Sequence, residues 1–484
     1  MTKIRFKTIF PYLIAFLLVL LFLFLRFYKI RESLFFSNDI GRDFLVFWRW
    51  QTSGKPPLLG PQNSALPFNQ SAIYFYLLYP FYLIFAGSAY ATIIANAIFY
   101  LSVFLLGLYL LRNKREWQYS LLIVFFLLTI HPQYIIQTRY IWNPSFVGPA
   151  ILVAFYAFLA LVKNIQERSK LDKATTWLLC FALALAIAFS YSAFTTVLAF
   201  LIVALFIFKK KFIPFLLKFI TANLVVNLPT LVFELRHNFV LTKMLLYREK
   251  LPQPQSNLLD KIANLRSYLF NLPDSYLYLF LAIFLILLFQ YFRNNKEKTF
   301  SALNLSLILL ILSIILTFIA PFAIQAHYIF GILTLFFIVL SFFCLENHLV
   351  LVLLLMLSMF WLNPQQVQKY FTQAPSTVDQ VQACAKDFCQ EHTQTMFVAI
   401  QSGLHPYHNA TEWQYLLPKF GCSLKDLVTE SNEAEYLAMI VEYSQYEHNK
   451  TAFNELTIFG PSEELETFTC HDNLEIKVLK KIKD

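Results

Sequence analysis

Apolar runs of about 18–20 residues recur along the chain almost to residue 362, separated by short polar or basic stretches. A run of that length crosses the hydrocarbon core of a bilayer as a helix. The pattern predicts about eleven spans, near 8–28, 89–111, 118–136, 145–162, 174–191, 193–208, 212–232, 275–292, 299–320, 328–345 and 347–362. The first, "KTIFPYLIAFLLVLLFLFLRFYKI", is longer than the apolar core of a signal peptide and no small-residue cleavage site follows, so it is read as a retained span. The stretch "SAIYFYLLYPFYLIFAG" (71–87) is short and interrupted by Pro80, which predicts an interfacial or re-entrant helix.

The polar stretches between spans carry a second signal. "RNKREW" (112–117), "KNIQERSKLDK" (163–173), "KKK" (209–211) and "RNNKEK" (293–298) are all basic, and all fall on one side if the amino terminus is cytoplasmic. The positive-inside rule predicts that orientation. Loops at roughly 29–88, 137–144, 233–274 and 321–327, and the tail, then face the extracytoplasmic side. Counting 71–87 as a span inverts every later loop and puts the basic clusters outside.

After residue 362 the pattern changes to that of a small α/β domain, which divides the chain into a membrane part, 1–362, and an extracytoplasmic domain, 363–484. "PSTVDQVQACAKDFCQEH" reads as a helix with Ser376 as N-cap and Asp379 three residues on. "TMFVAIQSG", "EYLAMIVEYS" and "NLEIKVLKKI" read as strands. Cys384, Cys389, Cys422 and Cys470 lie here, an even number that points to disulfides in an oxidising compartment, with three pairings open. Cys180 and Cys344 fall within spans as small apolar side chains.

Composition agrees with the pattern. The chain is 58% hydrophobic and 14% charged, with mean hydropathy +0.56 and 53 Phe, where soluble domains carry about 25% charged residues. The net charge of +10 resides in the interspan clusters, so it is a topology signal and not a nucleic-acid footprint. Only 10 Gly are present and no phosphate-cradling glycine loop is found, which leaves ATP-driven transport without support.

Against that background the stretch "SNDIGRDFLVFWRW" (37–50) stands out. Read as a helix, it aligns Phe36, Ile40, Phe44 and Phe47 or Trp48 on one stripe and gathers Asp39, Arg42 and Asp43 on another face. This describes an amphipathic helix along a membrane surface, its acids turned to protein or water. A solvated face with an Asp39–Arg42 pair is the plainer reading, but carboxylates beside lipid are costly and are usually kept for function.

Further polar residues cluster at the ends of spans on the same side. Arg139, Tyr140, Trp142 and Asn143 lie together in "RYIWNPSF": an Arg fork suits phosphate, and flat aromatic faces suit sugar C–H surfaces. An interfacial aromatic belt accounts for Tyr140 and Trp142 equally well. His327 and Tyr328 open a span in "AHYIFGIL", where a lone His is commonly an interfacial residue. Glu234, Arg236 and His237 crowd in "FELRHNF", where an internal Glu–Arg pair that anchors the loop is the simpler account. His405 and His408 in "HPYHNATEW" lack the carboxylate spacing of a metal site. "NQS", "NAT" and "NKT" match the glycosylation acceptor pattern, which arises often by chance.

Taken in order and on one side, "FSNDIGRDF", "PFNQSAIYFYLLYPFY", "RYIWNPSF", "LPTLVFELRHNF" and "AHYIFGIL" resemble the GT-C superfamily of polytopic glycosyltransferases. The likeness is greatest to the bacterial branch related to protein O-mannosyltransferases and aminoarabinose transferases, and it covers most of residues 1–345 in arrangement. The family's first-loop motif carries Asp followed by Glu; here Asp39 is followed by Ile40, and Asp43 stands one turn on in its place.

The resemblance implies a polytopic helical membrane enzyme of the cell envelope that moves a hexose or pentose from a polyprenyl-phosphate donor to an acceptor hydroxyl at the outer face. Such a reaction needs a base for the acceptor proton, a positive environment for the departing phosphate, and a greasy groove for the prenyl chain. Asp39 corresponds to the family's catalytic aspartate, and Asp43 would orient the acceptor or hold Arg42. Arg42, Arg139, Tyr140, Trp142, Asn143, Glu234, Arg236, His237, His327 and Tyr328 are the candidate substrate-binding residues. Attack opposite the phosphate inverts the anomeric centre without a covalent intermediate.

The sequence calls for no cofactor and leaves a divalent metal open; the acceptor is a protein, a lipid or a glycan. A transporter or flippase for a polyprenyl-linked amphiphile is the alternative. Transporters place ionisable groups near the bilayer midplane, whereas these span interiors are nearly uncharged apart from Lys218. A receptor or scaffold leaves the first-loop acids unexplained.

Overall fold

The computed structural model describes residues 2–62, 69–140, 142–168, 171–246, 257–294, 301–321, 323–403, 408–430, 433–444, 446–447, 451, 454–471 and 473–482. The chain divides into two compact units. One, the membrane unit, comprises Met1–Tyr28, Pro57–Leu78 and Thr92–Tyr370; the other, the sheet unit, comprises Lys29–Pro56, Tyr79–Ala91 and Phe371–Asp484.

In the membrane unit the apolar runs are helices, and the chain is a multi-pass membrane protein. Among the described residues six helical runs are long and apolar enough to cross a bilayer, and eight if each of two bent pairs is one span. The eleven expected spans differ from this in three places. Lys173–Phe189 and Phe330–Glu346 are apolar but shorter than a full crossing, and Tyr191–Val226 counts as one run. That run is nevertheless broken at Lys209, whose φ of 50° interrupts the helix between Phe194–Phe208 and Phe212–Val226. Ile73–Ile84 is a short apolar helix of 12 residues with Pro80 inside, as expected for 71–87.

The bends have a local cause. Arg115–Ile130 and Pro132–Arg139 meet at 68°, and His348–Trp361 and Pro364–Tyr370 at 55°. Each second helix begins with a proline, which has no N–H to continue the ladder but starts a new helix without loss. His131 caps the first restart by accepting from the Gln133 amide.

Helices in lipid gain no hydrophobic advantage from pairing, so small polar groups join them. Ser120 and Ser341 are hydrogen-bonded at 2.6 Å, the Tyr156 hydroxyl donates to Ser120 at 2.9 Å, Tyr134 and Thr334 meet at 2.7 Å, and Thr317 donates to Thr195 at 2.9 Å.

The sheet unit is built on four strands, β1 (Met396–Ser402), β2 (Tyr436–Glu442), β3 (Ser462–His471) and β4 (Leu474–Lys481), in the order β1-β2-β4-β3. β1 and β2 are parallel, and the other pairings antiparallel. β1, β2 and β4 match the expected strands. β3 was not foreseen: it is an edge strand whose "SEELETFTCH" is largely exposed, so it lacks the alternation that reveals a half-buried strand.

Phe397, Leu437, Met439, Phe459 and Leu479 form part of one sheet-face core. The helix Val378–Glu391 is capped by Thr377, with Gln380 completing a capping box; the expected cap, Ser376, lies one residue too early. Disulfides join Cys384 to Cys470 and Cys389 to Cys422.

The segment after the first span belongs to this unit. Ala374 donates its amide to the Glu32 carbonyl at 2.8 Å, Val378 to that of Leu34 at 3.1 Å, and Phe35 bridges to Thr377. The first-loop helix, Asn38–Ser53, ends at Gly54 in the left-handed conformation with φ 68°. Its apolar stripe is not turned to lipid: Phe36, Ile40, Phe44 and Phe47 are buried, with Phe44 5.5 Å from the Tyr415 ring and 5.6 Å from that of Tyr82. Tyr415 and Tyr82 supply a protein surface for the stripe, so it packs as core.

Candidate active site

The charged face of the first-loop helix is held by one guanidinium. Arg42 Nη1 donates to Asp39 Oδ1 at 2.9 Å, while Arg42 Nε and Nη2 donate to Asp43 Oδ1 at 3.0 and 2.8 Å. Positions three apart on a helix are neighbours, which is why Arg42 reaches back to Asp39. The two carboxylates are not equivalent: the Asp43 side chain is 3% exposed and that of Asp39 33%, with Arg42 at 23%. Asp43 is thus the buried anchor of the guanidinium, and Asp39 the more exposed of the two acids.

In the membrane unit, two segments far apart in sequence are brought together. The indole of Trp142 lies 4.2 Å from the His327 ring, His327 lies 4.2 Å from the Tyr328 ring, and Tyr140 lies 6.4 Å from Trp142. His327 is buried, and burial lowers its pKa to about 4, so the imidazole is neutral at pH 7. The cluster therefore offers aromatic faces and a neutral hydrogen-bonding ring.

The turn Asn143–Phe146 is pinned by Asn143 Nδ2 to the Phe189 carbonyl (2.5 Å), Ser145 Oγ to that of Gln137 (2.8 Å) and Tyr100 Oη to that of Ser145 (2.6 Å). Asn143 is thus engaged in holding the turn. Two residues that the sequence reading did not single out brace the approach to His327. Lys261 Nζ donates to the Phe318 and Ala320 carbonyls, and Asn264 Nδ2 to that of Ile324 at 3.3 Å. Both sit in the helix Leu258–Phe270, and nothing in its sequence separates a bracing lysine from an exposed one.

Arg139 lies against the end of the first span. It is buried, and its Nη1 donates to the carbonyls of Leu25, Arg26 and Tyr28 at 3.2, 3.0 and 3.0 Å, the orphan acceptors at the end of the first span. Glu234 does not pair with Arg236 to anchor the loop. It accepts from the amides of Leu241 and Thr242, both at 2.9 Å, and from the Thr242 hydroxyl, which caps the helix Val240–Leu246. Burial pushes this carboxyl up, but those bonds and the nearby His237 outweigh it and hold it below the usual range. Arg236 is exposed, and His237 is exposed with its ring stacked 4.1 Å from Phe233.

Among the described residues no group of three or more His, Cys, Asp or Glu is arranged to hold a metal. His405 lies outside the described residues; His408 is buried and lies 3.3 Å from Glu412.

Long bent helices and a sheet-bearing unit make this a polytopic membrane fold. Two solved structures share it over nearly their full length. ArnT from Cupriavidus metallidurans bound to undecaprenyl phosphate matches with a TM-score of 0.65 and 10% identity, over 96% of this chain and 97% of that one. The same protein in its apo state matches with a TM-score of 0.64 and 11% identity, over the same shares. No family model and no curated protein sequence matches the chain.

Proposed function

We propose that the protein is an integral-membrane glycosyltransferase that moves a sugar from a polyprenyl-phosphate donor to an acceptor hydroxyl. The observation that carries this reading is the Asp39–Arg42–Asp43 triplet, a more exposed carboxylate beside a buried one on a shared guanidinium. The likeness of fold to a protein bound to undecaprenyl phosphate supports the donor class.

Asp39 takes the proton of the acceptor hydroxyl as its oxygen attacks the anomeric carbon, and the phosphate leaves with the bonding pair. Attack from the face opposite the phosphate inverts that centre. Asp43 fixes Arg42, and Arg42 holds the Asp39 carboxylate in place. The departing phosphate requires cations or hydrogen-bond donors. The amino terminus is cytoplasmic and the sheet unit extracytoplasmic, a reading supported by the basic interspan clusters.

The test is transfer by the purified protein from a panel of polyprenyl-phosphate sugars, wild type beside Asp39→Asn. Transfer or donor hydrolysis by the wild type, lost in a folded Asp39→Asn, supports the reading. Labelled lipid crossing proteoliposome bilayers with no transfer by either protein overturns it in favour of a flippase.

A further inference from the structure

The charged face of the first-loop helix is described above without what lies behind it. The helix Thr411–Lys419, in the sheet unit, meets it along one side. Thr411 Oγ1 lies 2.5 Å from the Asn38 carbonyl oxygen and 2.7 Å from Asn38 Oδ1. Gly41 is pressed so closely that a Cβ there would fall 2.3 Å from the Glu412 nitrogen and 2.4 Å from its Cα. One turn on, Tyr415 receives Phe44 at 5.5 Å and Trp48 at 6.4 Å, and its hydroxyl donates to the Gly87 carbonyl at 2.8 Å.

Thr411, Tyr415 and Lys419 are spaced by four, one face of a helix. The far end is fixed as well, since Cys422, which follows this helix, is bonded to Cys389.

We propose that the helix Thr411–Lys419 is the seat that sets the rotation of the first-loop helix, with Thr411 and Glu412 as positioning residues for Asp39. This rests on the reading of Asp39 as the base. Successive residues of a helix are turned by roughly 100°. Gly41, Phe44 and Trp48 then share one side, Asp39 and Asp43 lie opposite, and Asn38 and Arg42 lie at the border between them. Holding the first set therefore holds the second in rotation and in height. No Cβ separates the two backbones at Gly41, so the fit tolerates little sliding.

Glu412 itself is buried, its Oε1 3.3 Å from the His408 ring. Misplacing a reacting group by about 1 Å costs on the order of a hundredfold in rate, so a loosened seat is expected to reach the chemistry.

The test uses the full chain in lipid nanodiscs, with Thr411→Val removing the hydroxyl at constant shape and Thr411→Ser restoring it. Hydrogen exchange is expected to speed about tenfold at amides 39–44 in Thr411→Val, and to match wild type in Thr411→Ser. Unchanged exchange in Thr411→Val overturns the seat. If that variant does not accumulate, Thr411→Ala removes the same hydroxyl and is read the same way.

Sugar transfer from undecaprenyl-phosphate donors gives the second readout. Thr411→Val is expected to lower kcat about tenfold at constant donor KM, with no further loss in an Asp39→Asn background. An equal loss in both backgrounds overturns the positioning role. Wild-type transfer by Asp39→Asn removes the base reading alone, and the exchange result still decides the seat.

Discussion

The Arg139 guanidinium donates to the main-chain carbonyl of Arg26 at 3.0 Å, while the Arg26 guanidinium donates to the carbonyls of Thr129 and Leu128 and to the Thr138 hydroxyl. Each arginine satisfies acceptors at the end of the helix from which the other's segment comes. This reciprocal capping ties the first span to the Pro132 bend. Either Arg→Leu change should cost about 2 kcal/mol or more, because it leaves buried carbonyls without a donor. Arg→Lys should restore little, since an ammonium lacks the planar fork. Thermal unfolding in detergent checks both.

The triplet on the first-loop helix makes an ordered prediction. Asp39→Asn should lower kcat by about a thousandfold, within the range of a lost general base. Asp43→Asn should cost about tenfold, since Arg42 keeps its bond to Asp39 but loses its buried anchor. Reversal of that order, measured as initial rates of transfer, would assign the base to Asp43.

His327 gives the membrane unit a pH dependence. Burial lowers its pKa from 6.5 to about 4, so between those values the unfolded chain holds a proton that the folded one does not. Stability is then fully present above about pH 6.5 and is lost as pH falls toward about 4, by an amount on the order of 3 kcal/mol. His327→Gln should flatten that slope in denaturation between those pH values. A slope that stays the same in His327→Gln would place the titrating group elsewhere.

The cystines should matter to the sheet unit alone. Cys389–Cys422 closes a separation of 33 residues and Cys384–Cys470 one of 86. Loop-closure entropy puts their contributions at about 4 to 5 kcal/mol each. Reductant, or Cys→Ser at either pair, should lower the melting of the sheet unit by hydrogen exchange and leave protection in the membrane spans unchanged. Loss of protection throughout both units would contradict this.

Much of this architecture was legible in the sequence because bilayer spans and buried strands leave strong periodic signals. The short helix at 71–87, strands β1, β2 and β4 and the disulfide-bearing tail were all legible. The pairing of Trp142 with His327 was not, though both residues had been singled out, because contact across 185 positions leaves no local pattern. The backbone groups that Arg139 and Glu234 meet were not legible, because composition does not reveal which main-chain partners a charge finds. Gly41 reads as a helix-weakening residue until Glu412 is seen against it. The apolar stripe of the first-loop helix is the same in either setting, and only Tyr82 and Tyr415 decide that protein covers it.

Asn38 and Thr411 are 373 positions apart. The helix that carries Asp39 is synthesised well before its partner, with membrane spans between them. A nascent chain therefore passes through insertion of every span with its candidate base unseated. On the proposed reading, a chain cut short before residue 411 would enter the membrane with Asp39 unseated.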